Sequence, residues 1–328
     1  MANNKFIHLL LACALFAACD DNDTPVDESK SYPAVIMAEA FDYGSETGTT
    51  WFKGETIGVY MLKGGTDDIV APYSNLRYYA NSFDNQDYFL PGNNDSIPYF
   101  PATGDKMDIA AYYPQTTVLA DSLVAIHLIN NYEYASQLLF ARVADLNKDS
   151  RKAELRLRPV LTQFKFLFKL GNGMSEADLK GLKVNLKGMP VSGFFNATTG
   201  RVHYREISAN QDIVLQTNET KTRSLPRATD EKENEDAVLV SATGLVLPSS
   251  TTTGYHVLVE LPAVNKSYPY EIPNSGTTEN LKNSTTYTFS CTINEDNMDV
   301  SITTSLPTDI NNWGEDDSID GKGEETNR

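Results

Sequence analysis

The stretch Arg151-Lys152-Ala153-Glu154-Leu155-Arg156-Leu157-Arg158-Pro159, which continues as Val160-Leu161-Thr162-Gln163-Phe164-Lys165-Phe166-Leu167-Phe168-Lys169-Leu170, decides the fold class. Ala153, Leu155 and Leu157 alternate with Lys152, Glu154, Arg156 and Arg158. Phe164, Phe166 and Phe168 alternate in the same way with Lys165, Leu167 and Lys169. A period of two belongs to a strand with one face on a core and the other in water. Pro159 has no N–H to give to a ladder, so a strand is expected to end at Arg158 and a new one to begin beyond it. The same point is a natural boundary between two units, residues 32–158 and 159–313.

Working outward, the same alternation recurs in YHVLVEL (255–261) and TTYTFSCTI (285–293). Further strand candidates are TIGVYML (56–62), MDIAAYY (107–113), SLVAIHLI (122–129) and DAVLVSA (236–242). Asn- and Asp-rich turns, DLNKDS (145–150) and NEDNMD (294–299), separate neighbouring runs as hairpin connections do. The first has Asp145, Asn147 and Asp149 at calcium-loop spacing, but Ser150 and Arg156 stand where such a loop needs Gly and Glu. The best helix candidate is SEADLKGLKV (175–184), short and interrupted by Gly181. Alternation with one polar face implies an all-β chain of antiparallel sheets packed face to face. Residues 217–236 are charged and without an apolar period, and so read as a long exposed loop; the tail 314–328 is polar throughout.

Composition excludes several function classes. With 44 acidic against 27 basic residues, the formal charge of −17 in 328 residues is wrong for nucleic acid or for adsorption to an anionic membrane. Three Cys and four His leave little material for a zinc site, and no metal or other cofactor is expected. His127, His203 and His256 sit in strand-like runs and read as structural. No nucleophile elbow, HExxH or phosphate loop is present, and no catalytic residue is assigned. Paired carboxylates of the kind a glycosidase uses are better explained by an acidic surface.

The N-terminus reads as an address. Lys5 precedes a 13-residue apolar run, Phe6 to Ala18, broken only by His8; this is short for a membrane span and fits a signal-peptide core. Ala17-Ala18-Cys19 resembles a bacterial lipobox, with Phe16 where Leu is commoner. On that reading residues 1–18 are a lipoprotein signal peptide, Cys19 carries the lipid, and the acidic run 19–31 is a tether to the outer membrane. The alternative is ordinary cleavage near Ala18, with Cys19 incidental. With Cys19 lipidated, Cys291 has no intramolecular partner and reads as a small apolar strand residue.

Four further stretches carry a family resemblance. Trp51-Phe52-Lys53-Gly54-Glu55-Thr56-Ile57-Gly58-Val59 resembles the W..GD.IGV strand of the Bacteroidales fimbrillin family, with Glu55 in place of Asp. Tyr73-Ser74-Asn75 with Tyr79, then Tyr99-Phe100-Pro101 and Asp108-Ile109-Ala110-Ala111-Tyr112-Tyr113-Pro114, resemble later segments in the same order. Leu157 to Phe168 is similar to the strand that opens the family's second domain, with Pro159 where His is usual. The resemblance implies two tandem transthyretin-like antiparallel β-sandwiches. It also implies a structural or adhesive, non-enzymatic pilus subunit, whose partners are other subunits joined by strand complementation. A surface glycan-binding lipoprotein, with a host or glycan ligand, is the alternative.

In the family an N-terminal strand is removed by a protease and replaced by a neighbour's strand. The matching segment here is Tyr32 to Phe41, with Tyr32, Val35, Met37 and Phe41 among its apolar residues. The family's processing is associated with an Arg soon after this strand, yet no Lys or Arg lies between Lys30 and Lys53, and the first Arg of the chain is Arg77. A trypsin-like protease therefore has no clean cut, and the strand is expected to stay unless another protease acts. Residues 300–313 are the candidate donor strand, interrupted by Pro307; alternatively they are the last strand of their own unit. Ser96, Ser122 and Ser318, each between Asp and an aliphatic residue, resemble the short O-glycosylation motif of Bacteroides.

Overall fold

The structure, a computed structural model, describes residues 32–305 apart from 44, 46, 82–87, 120–121, 130–134, 205–210 and 220–237. It is all-β. Up to Pro159 the strands are β1 (Val35–Ala40), β2 (Thr56–Lys63), β3 (Leu76–Ala80), β4 (Tyr88–Pro91), β5 (Met107–Tyr113), β6 (Leu123–His127), β7 (Leu139–Leu146) and β8 (Lys152–Pro159). Then come β9 (Thr162–Leu170), β10 (Lys183–Lys187), β11 (Ser192–Asn196), β12 (Val202–His203), β13 (Ile213–Val214) and β14 (Gln216–Glu219). The last are β15 (Val240–Val246), β16 (His256–Leu261), β17 (Lys266–Glu271), β18 (Thr286–Ile293) and β19 (Met298–Ser305).

Seven strands close into a ring in the order β1-β4-β3-β2-β5-β7-β8. Every neighbour pair in it is antiparallel except β1 with β8. Alternate residues fill it: Ile57, Val59 and Met61 from β2, Ile109 and Ala111 from β5, and Ala153, Leu155 and Leu157 from β8 are all buried in one cluster. The opposite faces of β2, β5 and β7 are buried as well. Tyr60, Leu62, Ala110, Tyr112 and Phe140 belong to a second cluster, built largely by residues after Pro159. A strand covered on both sides needs no polar face, which is why TIGVYML and MDIAAYY carry almost none.

Beyond Pro159, a five-stranded sheet runs β14-β15-β9-β18-β19 and a four-stranded sheet runs β13-β10-β16-β17. A third sheet, β12-β11-β6, joins residues from both sides of Pro159: β6 pairs with β11 from Ser192–His127 to Asn196–Leu123. Phe195 of β11 packs edge-on to Phe140 of the ring at 5.7 Å and lies 6.1 Å from Tyr112. Arg142, paired with Asp108 at 2.7 Å and Asp67 at 2.8 Å, adds a polar link by donating to Thr198 O at 3.4 Å.

Three expectations need correction. The sheets are not wholly antiparallel, since β1 runs parallel to β8 and β9 to β18. The helix anticipated over 175–184 is one 3-10 turn, Glu176–Leu179, capped by Asp178 accepting from Ser175 N at 2.8 Å. Gly181 then takes φ +73°, which ends any helix, and β10 starts at Lys183. The loop anticipated over 217–236 begins instead as part of β14, whose Gln216–Glu219 pairs with Val240–Thr243; residues 220–236 lie outside the described residues. The tail 314–328 is also outside them.

The glycine of the IGV stretch has a specific reason. A Cβ at Gly58 would sit 2.2 Å from the Tyr112 ring and 2.5 Å from Asn75 Oδ1. The Tyr112 hydroxyl crosses that space, donating to Asn75 Oδ1 (2.9 Å) or to Thr116 O (3.0 Å). Burial pushes its pKa up to about 12 despite these bonds.

Candidate functional site

Strand β1 is the element on which the strand-exchange reading turns. Parallel β8 covers one of its edges, in register from Val35–Lys152 to Ala40–Leu157. On the other edge β4 pairs only at Ile36–Phe89 and Met37–Tyr88. Past Met37 the chain covers that edge with itself. After Ala40 it turns back, and Thr49 N donates to Ala40 O at 2.7 Å. Trp51 Nε1 donates to Ala38 O at 2.7 Å. The described residues between Phe41 and Trp51 thus form a strap across the free carbonyls of β1.

Aromatic contacts seat both ends of the strap. The Trp51 ring packs edge-on against Phe89 of β4 at 5.2 Å and Tyr113 of β5 at 5.1 Å. Glu55 fixes the turn that follows: one carboxylate oxygen accepts from Phe52 N at 2.6 Å, the other from the Tyr113 hydroxyl at 2.8 Å. Burial, reinforced by that carboxylate, pushes the Tyr113 pKa up to about 12. At the strap's start Phe41 is buried, and the guanidiniums of Arg156 and Arg158 stand 4.6 Å and 4.5 Å from its ring centroid. Arg158, itself 2% exposed, donates from Nη1 to Ser45 O at 3.2 Å. Cations over an aromatic face are attracted by its quadrupole, more strongly when desolvated.

The opposite end of β1 is more open. Pro33 pairs with Tyr99 and Ala34 N donates to Pro98 O at 2.9 Å, while β4 diverges. Between them lies a pocket of 470 Å³ lined by Pro33–Ile36, Tyr88–Pro91, Tyr78, Asn81 and Ile97, with no charged side chain. Among the described residues the buried Tyr78 hydroxyl finds no hydrogen-bond partner, and burial raises its pKa well above the usual tyrosine value.

The anticipated residues fall as follows. Phe41 is buried, Tyr32 and Met37 are half-buried, and Val35 is 40% exposed. The inward face of β1 is formed by Ile36, Ala38 and Ala40, the alternate set. Ser96 is half-buried at the end of a 3-10 turn, its Oγ donating to Asn93 Oδ1 at 2.9 Å. Ser122 is half-buried just before β6. Cys19 and Ser318 lie outside the described residues. Of the candidate donor strand, Val300–Ser305 lies in β19, paired along its length with β18; residues 306–313 are not described. Among the described residues no group of three His, Cys, Asp or Glu could hold a metal ion, and no helix is long and apolar enough to cross a membrane. His127, His203 and His256 lie on β6, β12 and β16. Arg156, Arg158 and Trp51 were not among the anticipated site residues, although Trp51 opens the family motif at 51–59.

Comparison with known proteins agrees with the motifs. The fimbrillin-like family matches residues 45–313, starting just after β1. A relative from Bacteroides uniformis named as a fimbrium subunit, Fim1C, is 23% identical over 314 residues, covering 92% of this chain and 94% of its own. A crystal structure from the same species, described as a cell adhesion protein, superposes with a TM-score of 0.60 at 21% identity, over 83% of this chain and 98% of that one. Another, from Bacteroides ovatus, does so with a TM-score of 0.56 at 18% identity, over 84% and 97%. The chain belongs to the fimbrillin-like family.

Proposed function

We propose that this chain is a subunit of a cell-surface fimbrium that keeps its first strand, and so occupies its own acceptor groove. The observation that carries the proposal is the seat of β1, which closes the ring by six parallel register positions on β8 and is strapped down by the residues that follow it. Lys53, the first basic residue after β1, lies beyond Trp51. A cut there takes Trp51 away with the strand and strips the aromatic packing from Phe89 and Tyr113. Such a subunit has no groove to offer, so it suits the base or an accessory position, held at the outer membrane by lipid on Cys19. It contacts other subunits through strands it donates or through its surface. The units 32–158 and 159–313 would correspond to two transthyretin-like sandwiches, docked through the β6-β11-β12 sheet.

Mapping the N-terminus of the surface-exposed protein by mass spectrometry tests the proposal. A mature chain starting at Cys19, with a lipid-sized mass increment, is expected. A start between residues 42 and 50 overturns it.

A further inference from the structure

We infer that the strap, acting through Phe41, Thr49 and Trp51, is a latch that makes strand exchange at the β1 groove slow, and that Trp51 and Phe41 are its two catches. The inference rests on the reading that the groove is filled by the chain's own β1, and adds what keeps it filled.

The argument starts from the poverty of β1 itself. Its inward face offers one large side chain, Ile36, and two methyl groups, Ala38 and Ala40. Its pairing with β4 spans two positions, and next to them lies the uncharged pocket at Pro33–Ile36. An incoming strand meets little resistance there. At the other end two carbonyls of β1 are taken by groups of the strap, Trp51 Nε1 and Thr49 N. Both bonds must break before β1 can leave its place between β4 and β8 to a rival strand. Phe41 continues the hold on the β8 side, where its N donates to Leu157 O at 2.9 Å and its ring lies under Arg156 and Arg158. Because the strap leads directly into β2, it stays tethered beside the groove and recloses as an intramolecular step, at an effective concentration no free strand matches.

The test uses the full chain and a fluorescein-labelled synthetic peptide of residues 32–42, the chain's own first strand. Uptake is followed by fluorescence anisotropy in wild type and in Trp51→Phe, which keeps an aromatic ring but removes the N–H. Losing one buried hydrogen bond should speed uptake about tenfold. Phe41→Leu should speed it by a smaller factor, and the double variant by more than either. Equal uptake by wild type and Trp51→Phe overturns the latch. Hydrogen exchange on wild type gives a check that needs no variant: the amides of Phe41 and Thr49, which donate to Leu157 O and Ala40 O, should exchange more slowly than that of Ala34, which donates to Pro98 O beside the pocket, and the reverse order overturns the latch too. These outcomes separate from those of the proposed function. A mature N-terminus between 42 and 50 sinks strand retention whatever the peptide does, whereas Trp51-independent uptake by a chain that still begins before residue 32 sinks the latch alone.

Discussion

Strands β1 and β9 hold matching positions and are secured by opposite means. Each is the first strand of its sheet system in the described chain, and each runs parallel to a late strand, β1 to β8 and β9 to β18. Each is antiparallel to its other neighbour, β4 or β15. Strand β9 brings three fully buried phenylalanines, 164, 166 and 168. Phe166 stacks on Phe289 at 4.4 Å and 11°, and Phe164 meets the same ring edge-on at 5.0 Å. At about 1.5–3 kcal/mol for each buried ring, plus stacking, side chains alone anchor β9. Strand β1 has Ile36 and two alanines, the latter contributing only about 0.8 kcal/mol per methyl. What β9 gets from its own sequence, β1 gets from the strap after it. A strand held by its own side chains is part of the core, while one held from outside can be released without rebuilding the core.

Phe166→Ala should break the β9 side of this comparison with the largest effect. It empties a stacked, fully buried site and should cost about 3–5 kcal/mol in urea unfolding of the full chain. Ile36→Ala deletes the one large inward side chain of β1. It should fall near the bottom of the usual range, about 2 kcal/mol, because the adjoining pocket lets the site relax. If the two costs prove equal, β1 is a core strand like β9 and the distinction fails.

The two strands also differed in how far they could be read beforehand. The Phe-x-Phe-x-Phe run at 164–168 announces a half-buried strand, and β9 is one. For β1 the strand was legible, but its inward face was not. Val35 and Met37 alternate with Ile36, Ala38 and Ala40, and since every residue from Ala34 to Ala38 is apolar, a period of two has no polar half to mark which set faces inward. The strap was hidden for another reason. Phe41 and Arg158 meet only because β1 and β8 pair across the whole ring, a contact that no local pattern encodes. The pairing of β6 with β11 across Pro159 was hidden in the same way. Short strands such as β12 and β13, two residues each, contain too few alternations to show a period.

Phe41→Leu sharpens the strap side. Leucine keeps the apolar volume but removes the ring face beneath two guanidiniums. The loss should be about 1 kcal/mol in equilibrium unfolding, between the values for exposed and desolvated cation–π pairs. Repeating the substitution in Arg156→Met tells whether the contact itself is responsible: the two effects should then fall short of additive, because the second change removes part of an interaction already weakened.

The smallest effect is the sharpest test of register. Val35 neighbours Ile36 in the chain but lies 40% exposed, while Ile36 is 1% exposed. On a strand, adjacent side chains point to opposite faces, and a slip of one residue exchanges the two sets. Val35→Ser removes apolar surface that already faces water, so it should move stability by no more than about 0.5 kcal/mol. Were the strand to slip by one, Val35 would enter the ring and Ile36 would leave it, and the ranking of Val35→Ser and Ile36→Ala would invert. The pair of measurements therefore reads the register of β1 against β8 directly. It also reads which carbonyls face the strap, since Trp51 and Thr49 reach Ala38 and Ala40 only in the observed register. A strand slipped by one would turn those carbonyls toward β8 and leave the strap nothing to hold.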